Sequence, residues 1–181
     1  GTWNTLSEVL GRDTIGHVLL DKNSRNTHVV NTLDIPCVCV GADNLIVATG
    51  PDGILVANKD SSEHLKPYVD KLNNFPMYEE RRWGTCKVIG SHQSQNGQQS
   101  LIKHLCVKSG QSISYHRHSR HRKILTVVDG TGVFILDNET RKLESGDVVC
   151  IYEGQKHVVK AITDLYLVEV QIGELTSEEM I

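Results

Sequence analysis

From Met77 onward the chain is a succession of nine short apolar runs: "TCKVIG", "SLIKHLCVK", "SISYHRH", "KILTVVDG", "TGVFILDN", "TRKLES", "DVVCIYEG", "KHVVKAI" and "LYLVEVQIG". Glycine, aspartate and asparagine punctuate them, as in "DGTG", "DNET", "SGD" and "EGQK", and no helical period intervenes. Many short strands with regular turns bury their apolar faces by closing into a sandwich or barrel. This half is therefore expected to be β throughout.

The first part is built differently. Residues 1–10, "GTWNTLSEVL", place Trp3, Leu6, Val9 and Leu10 at helical spacing, with Gly11 as a C-cap. The abrupt opening, with tryptophan at position 3, reads as a chain cut from something longer. Between His17 and Lys59, "HVLLD", "THVVN", "CVCVG", "LIVAT" and "ILVAN" recur with Asn, Asp, Gly and Pro between them. That suits a small sheet or a short, imperfect β-helical stack without a strict hexapeptide repeat. Ser61 or Ser62 is placed to cap a linking helix running to about Leu72, with Pro67 awkward inside it. "NNFP" ends that helix, so residues 1–73 and 77–181 are expected to be separate domains.

A formal net charge of -3 argues against a general nucleic-acid binder. No apolar run approaches the ~18 residues of a membrane span, and no signal-peptide pattern opens the chain. The five cysteines contain no CxxC; Cys37 and Cys39 share one side of a strand and read as small buried hydrophobes. A reducing, cytoplasmic setting is expected.

The stretch "ISYHRHSRHRKILTVVDG" (113–130) carries the chemistry. His116 and His118 are two apart, so in a strand they share a face. Gly110 precedes them by the spacing G-x5-H-x-H, and Lys123 and Gly130 follow; downstream, Gly146 leads through Tyr152 and Gly154 to His157. This resembles the two-part cupin signature. The resemblance implies a double-stranded β-helix, or jelly-roll, barrel with His116, His118 and His157 converging inside on a divalent transition metal, zinc foremost. A carboxylate usually completes that set at the position of Lys123. Tyr152 and Ala161 likewise stand where the signature has proline and asparagine.

The resemblance narrows with "EERRWGTCKVI" (79–89) and "LVEVQIGELTSEEMI" (167–181), which are similar to the C-terminal domain of bacterial mannose-1-phosphate guanylyltransferases. In bifunctional members that domain is a type II mannose-6-phosphate isomerase. Arg81, Trp83 and Gly84 match the first motif, Arg82 replaces its proline, and Glu169, Val170, Gln171 and Gly173 match the last. "GTWNTLSEVL" and "LIVATGPDGILVANKD" resemble the end of the nucleotidyltransferase core, whose nucleotide loop and catalytic lysine have no counterpart in this chain.

The implied function lies in GDP-mannose or related nucleotide-sugar metabolism, with a nucleotidyltransferase domain as missing partner. The cupin would bind a sugar phosphate of the mannose 6-phosphate type, with Arg81, Arg82 and Arg117 on the phosphate. If it isomerises that ligand, Lys123 or a nearby histidine moves the proton. The alternative is a non-catalytic cupin that joins subunits or regulates the nucleotidyltransferase domain. A homodimer through sheet edges is expected either way. His121 reads as a solvated loop residue, and His64, His92 and His104 as surface or sheet residues.

Overall fold

A computed structural model describes residues 13–72, 76–117 and 120–174, the side chains of 114–117 excepted. The helix expected over residues 1–10 lies outside them. The chain divides into two compact units, Gly1–Asn74 and Phe75–Ile181.

The first unit opens with β1 (Thr14–Ile15), β2 (Val18–Leu20), β3 (His28–Asn31), β4 (Cys37–Cys39), β5 (Leu45–Gly50) and β6 (Gly53–Asn58). β1, β3 and β5 run parallel, with Val29 beside Val47, and β2 runs parallel to β4, with Leu19 beside Val38. A further parallel bridge joins Arg25 to Asp43. Each stretch therefore lies beside the next turn of the chain, which is the β-helical one of the two arrangements expected, in short form. β6 folds back antiparallel on β5 and closes it.

Asn31 is buried and locks the turns of this stack together. Its Nδ2 donates to the carbonyls of His17 (3.0 Å) and Ile35 (2.7 Å), while its Oδ1 accepts from Leu33 N and the Thr49 hydroxyl. The buried carboxamide thus satisfies the Ile35 carbonyl and the Leu33 N–H, and adds a second bond to the His17 carbonyl, which also accepts from Cys37 N.

The linker departs from expectation. Instead of one helix from Ser61 or Ser62 to Leu72, there is a 3-10 helix, Lys59–His64, and then a single turn, α1 (Lys66–Val69). Asn58, not a serine, caps the first, accepting from Asp60 N at 2.9 Å. Pro67 sits in the first turn of α1, where its missing N–H costs nothing. A proline there starts a helix rather than continuing one.

The second unit holds β7 (Tyr78–Arg81), β8 (Gly84–Gln93), β9 (Gln99–Val107), β10 (Ser112–Arg117), β11 (His121–Asp129), β12 (Gly132–Leu136), β13 (Glu139–Leu143), β14 (Val148–Ile151), β15 (Lys156–Ala161) and β16 (Leu165–Gly173). All nine expected runs are strands, and β7 adds a tenth. Every pairing in this unit is antiparallel. One sheet has the order β14-β11-β16-β9-β8-β7 and the other β10-β15-β12-β13. This is a jelly-roll of two sheets, mainly β as expected.

Strict alternation sends one side chain in two inward. Leu105, Val107, Leu125, Val127, Leu165 and Leu167 from the larger sheet pack with Phe134, Val159 and Ala161 from the smaller. Burying each such side chain is worth ~1.5–3 kcal/mol, so this apolar layer holds the sheets together. Among the described residues no helix is long and apolar enough to cross a membrane.

Candidate functional site

The same alternation that builds the apolar layer puts charge inside the jelly-roll. On β9 the inward residues are Leu101, Lys103, Leu105 and Val107; on β11 they are His121, Lys123, Leu125 and Val127; on β16 they are Leu165, Leu167, Glu169 and Gln171. On β15 His157 is in phase with Val159 and Ala161. One end of the interior is therefore apolar. The other carries Lys103, Lys123, Glu169, Gln171, His121 and His157, all buried.

Glu169 is the centre of this polar layer. Lys123 Nζ, from β11, lies 3.3 Å from its Oε2, and Gln171 Nε2 donates to its Oε1 at 2.7 Å. On the other flank of β16, Lys103 of β9 stands directly opposite Glu169 in the ladder. A +/−/+ row thus crosses three adjacent strands. Burial alone pushes the Glu169 carboxyl up, but Lys123 and Lys103 outweigh it and hold the group below the usual carboxylate range. Burial also pulls the Lys103 amine down, partly offset by Glu169. The Gln171 carboxamide oxygen has no hydrogen-bond partner among the described residues, although Gln171 is 1% exposed.

The residues singled out from the sequence are placed as follows. Lys123, which the cupin resemblance set at the carboxylate position, is buried and ion-paired to Glu169. His157 is buried, with Nδ1 3.4 Å from the carbonyl oxygen of Gln155. The backbone of His116 lies opposite His157 in the β10–β15 ladder; its side chain and that of Arg117 are not among those described, and His118 lies outside the described residues. Arg81 is exposed and donates from Nε and Nη2 to Glu79 at 2.9 and 2.6 Å, and Arg82 is exposed. Trp83 packs against the core.

One expectation is corrected. His121 is not a solvated loop residue: it opens β11 and is 1% exposed. Pairing of His121 with Gly173 extends the strand by two residues beyond Lys123 and turns the imidazole inward. Sequence reasoning also passed over Lys103, Glu169 and Gln171 as interior groups. The signal was present, since Lys103 is in phase with Leu101, Leu105 and Val107, and Glu169 and Gln171 with Leu165 and Leu167.

The described interior does not fit a divalent metal. An ammonium stands where the signature has a carboxylate ligand, and Glu169 is committed to that ammonium. Among the described residues no three His, Cys, Asp or Glu side chains are grouped to hold a metal ion.

Comparison with known proteins agrees with this architecture. The cupin domain family model matches residues 103–172. Over 99% of its length the chain is 26% identical to mannose-1-phosphate guanylyltransferase RfbM of Salmonella typhimurium, of which it covers 39%. Over the same share it is 27% identical to mannose-1-phosphate guanylyltransferase of Salmonella montevideo, covering 40%. The chain thus spans about two fifths of the length of these relatives. Among solved structures, KdgF from a Halomonas species superposes with a TM-score of 0.51 at 18% identity, covering 61% of this chain and all of that one. An RmlC-like cupin from Shewanella frigidimarina gives 0.50 at 17%, covering 61% and 97%. These two establish the fold alone. Residues 103–172 are a cupin domain, and along 99% of its length the chain is similar to a stretch about two fifths as long as bacterial mannose-1-phosphate guanylyltransferases.

Proposed function

We propose that this chain belongs to a guanylyltransferase-like protein of nucleotide-sugar metabolism and that its cupin binds a sugar phosphate of the mannose 6-phosphate type. The observation that carries this reading is the composition of the polar layer. Two buried ammonium groups, Lys103 and Lys123, share one carboxylate, Glu169, so the trio carries one more positive charge than negative when all are ionised. The Gln171 carboxamide oxygen adds a buried acceptor. An anion that also offers hydroxyl donors complements such a layer. Arg117 on β10, and Arg81 and Arg82 around β7, are the candidate phosphate contacts at the rim.

Mannose 6-phosphate titrated into the purified chain by calorimetry tests this. Saturable binding that weakens at least tenfold in Lys103→Met supports it; no heat with mannose 6-phosphate or fructose 6-phosphate overturns it. A coupled assay for conversion between the two ligands then separates binding from isomerisation. If the chain isomerises, a base inside the cup moves the proton between C1 and C2. Lys123 is the weaker candidate for it, because its Nζ is already engaged by Glu169 at 3.3 Å.

A second reading rests on a different observation, in the first unit. Ile35, Val38, Val40, Ile54 and Val56 are exposed around a groove of about 590 Å³. Apolar exposure on this scale marks a contact surface. The relatives are more than twice as long as this chain, and the occupant is the nucleotidyltransferase core, of which this unit is the closing end. In that case the chain serves as a non-catalytic module that regulates the core or joins subunits as a cytoplasmic homodimer. Co-expression with the nucleotidyltransferase core of a relative tests it: a complex abolished by Val38→Asp supports it, and none forming overturns it.

A further inference from the structure

The strongest unassigned feature of the molecule is the row of charge across β11, β16 and β9. A divalent ion held by imidazoles and a carboxylate would do two things inside a jelly-roll. It would link neighbouring strands across the interior, and it would place positive charge there. The Lys123–Glu169–Lys103 row does both with side chains alone. Lys123 and Glu169 join β11 to β16, and Lys103 stands opposite Glu169 on the next strand. Gln171 holds the remaining carboxylate oxygen.

We infer that the Lys123 ammonium is a built-in substitute for a divalent metal, so that this cupin holds its shape, and its interior positive charge, without one. A dication entering beside Lys123 and Lys103 would meet two like charges in a medium that screens them poorly. It would also have to take Glu169 from the ammonium that already holds it. Breaking the buried pair leaves a charge without its partner, which is the costly outcome for any buried ion pair. The low-lying Glu169 carboxyl agrees with an anion kept ionised by chain groups. This inference does not depend on the sugar-phosphate reading; it concerns only what occupies the metal's place.

Thermal melting of the purified chain, with EDTA and with added zinc or cobalt, is the first test. The expected result is a midpoint that moves by less than about 2 °C in either direction, with no metal retained after dialysis. A drop of about 4–8 °C with EDTA, the size of a 1 kcal/mol contribution in a small domain, or stoichiometric bound metal, overturns the inference.

The second test is Lys123→Glu, which restores a carboxylate to β11. Cobalt uptake at least tenfold tighter than in the parent, with visible d–d absorption, supports the inference; a folded variant that takes up no cobalt overturns it. If that variant does not fold, Lys123→Glu combined with Glu169→Lys decides by melting. Recovery of most of the parent midpoint shows that the pair itself is the cross-link, and failure to recover overturns it.

Discussion

Lys123 Nζ and Glu169 Oε2 are 3.3 Å apart inside the second unit, and both side chains are more than nine-tenths buried. The pair joins neighbouring strands, β11 and β16, on a diagonal two residues out of direct register, since Lys123 stands opposite Gln171 and Glu169 opposite Leu125. The diagonal lets Lys103 approach the same carboxylate from β9. One acidic residue therefore balances two basic ones.

That asymmetry sets the order of mutational cost. Glu169→Gln leaves two buried ammonium groups facing each other and is expected to lose about 3–5 kcal/mol, the cost of breaking a buried pair. Lys123→Met keeps the Lys103–Glu169 opposition and should lose less. Urea unfolding of the two variants checks the ranking.

Stability should fall in acid through the same group. The Glu169 carboxyl is lowered in the folded state, so its contribution is complete above its unfolded value, near ~4.3, and is lost as pH falls through the folded one. At the alkaline end Lys103 acts in the opposite sense. Its amine is lowered by burial, so between its folded value and the unfolded ~10.4 the unfolded chain holds more protons and stability rises with pH. Glu169, Lys123 and Cys86 surround it, and the raised Cys86 thiol opposes this rise. The difference between parent and Lys103→Met urea midpoints across pH 8–11 isolates the lysine (a range chosen to bracket ~10.4); it should grow in the parent's favour as pH rises.

Gly130 and Gly146 both adopt positive φ, +88° and +91°, but only Gly130 is enclosed. A Cβ on Gly130 would lie 2.0 Å from the carbonyl oxygen of Asp164, whereas one on Gly146 meets nothing within 4 Å. Gly130→Ala is expected to cost more than about 3 kcal/mol, and Gly146→Ala about 1–2. Chemical denaturation of the pair reads the difference.

In the first unit, Asn31→Ala strands the carbonyl of Ile35 and the N–H of Leu33, while the His17 carbonyl keeps its bond from Cys37 N at 3.0 Å. The expected loss is about 2–4 kcal/mol. Far-ultraviolet circular dichroism during urea unfolding should report an earlier transition, and Asn31→Asp should rescue only the acceptor half.

Much of this architecture was legible in order along the chain. The nine punctuated runs from Met77 are strands because apolar alternation and turn residues are local properties, readable without knowing what each strand meets. The glycines of the cupin signature were legible for the same reason: a positive φ at Gly130 or Gly146 is a demand of the local turn. The linker was misjudged because serines 61 and 62 and Asn58 all offer capping oxygens, and only the packed chain chose Asn58.

By itself, the sequence determined the fold class, the phase of each strand and the presence of a lysine where the cupin signature has a carboxylate. The tertiary structure alone decided what that lysine does. Lys103, Lys123 and Glu169 are far apart in the chain, and their charges meet only because β16 is laid between β9 and β11. Strand order across a sheet is a long-range outcome, settled by which apolar faces bury together. The pairing of Lys123 with Glu169 follows from that order and from no local pattern; His121 is in phase with Leu125 and Val127, but only the pairing with Gly173 carries the strand far enough to bury it.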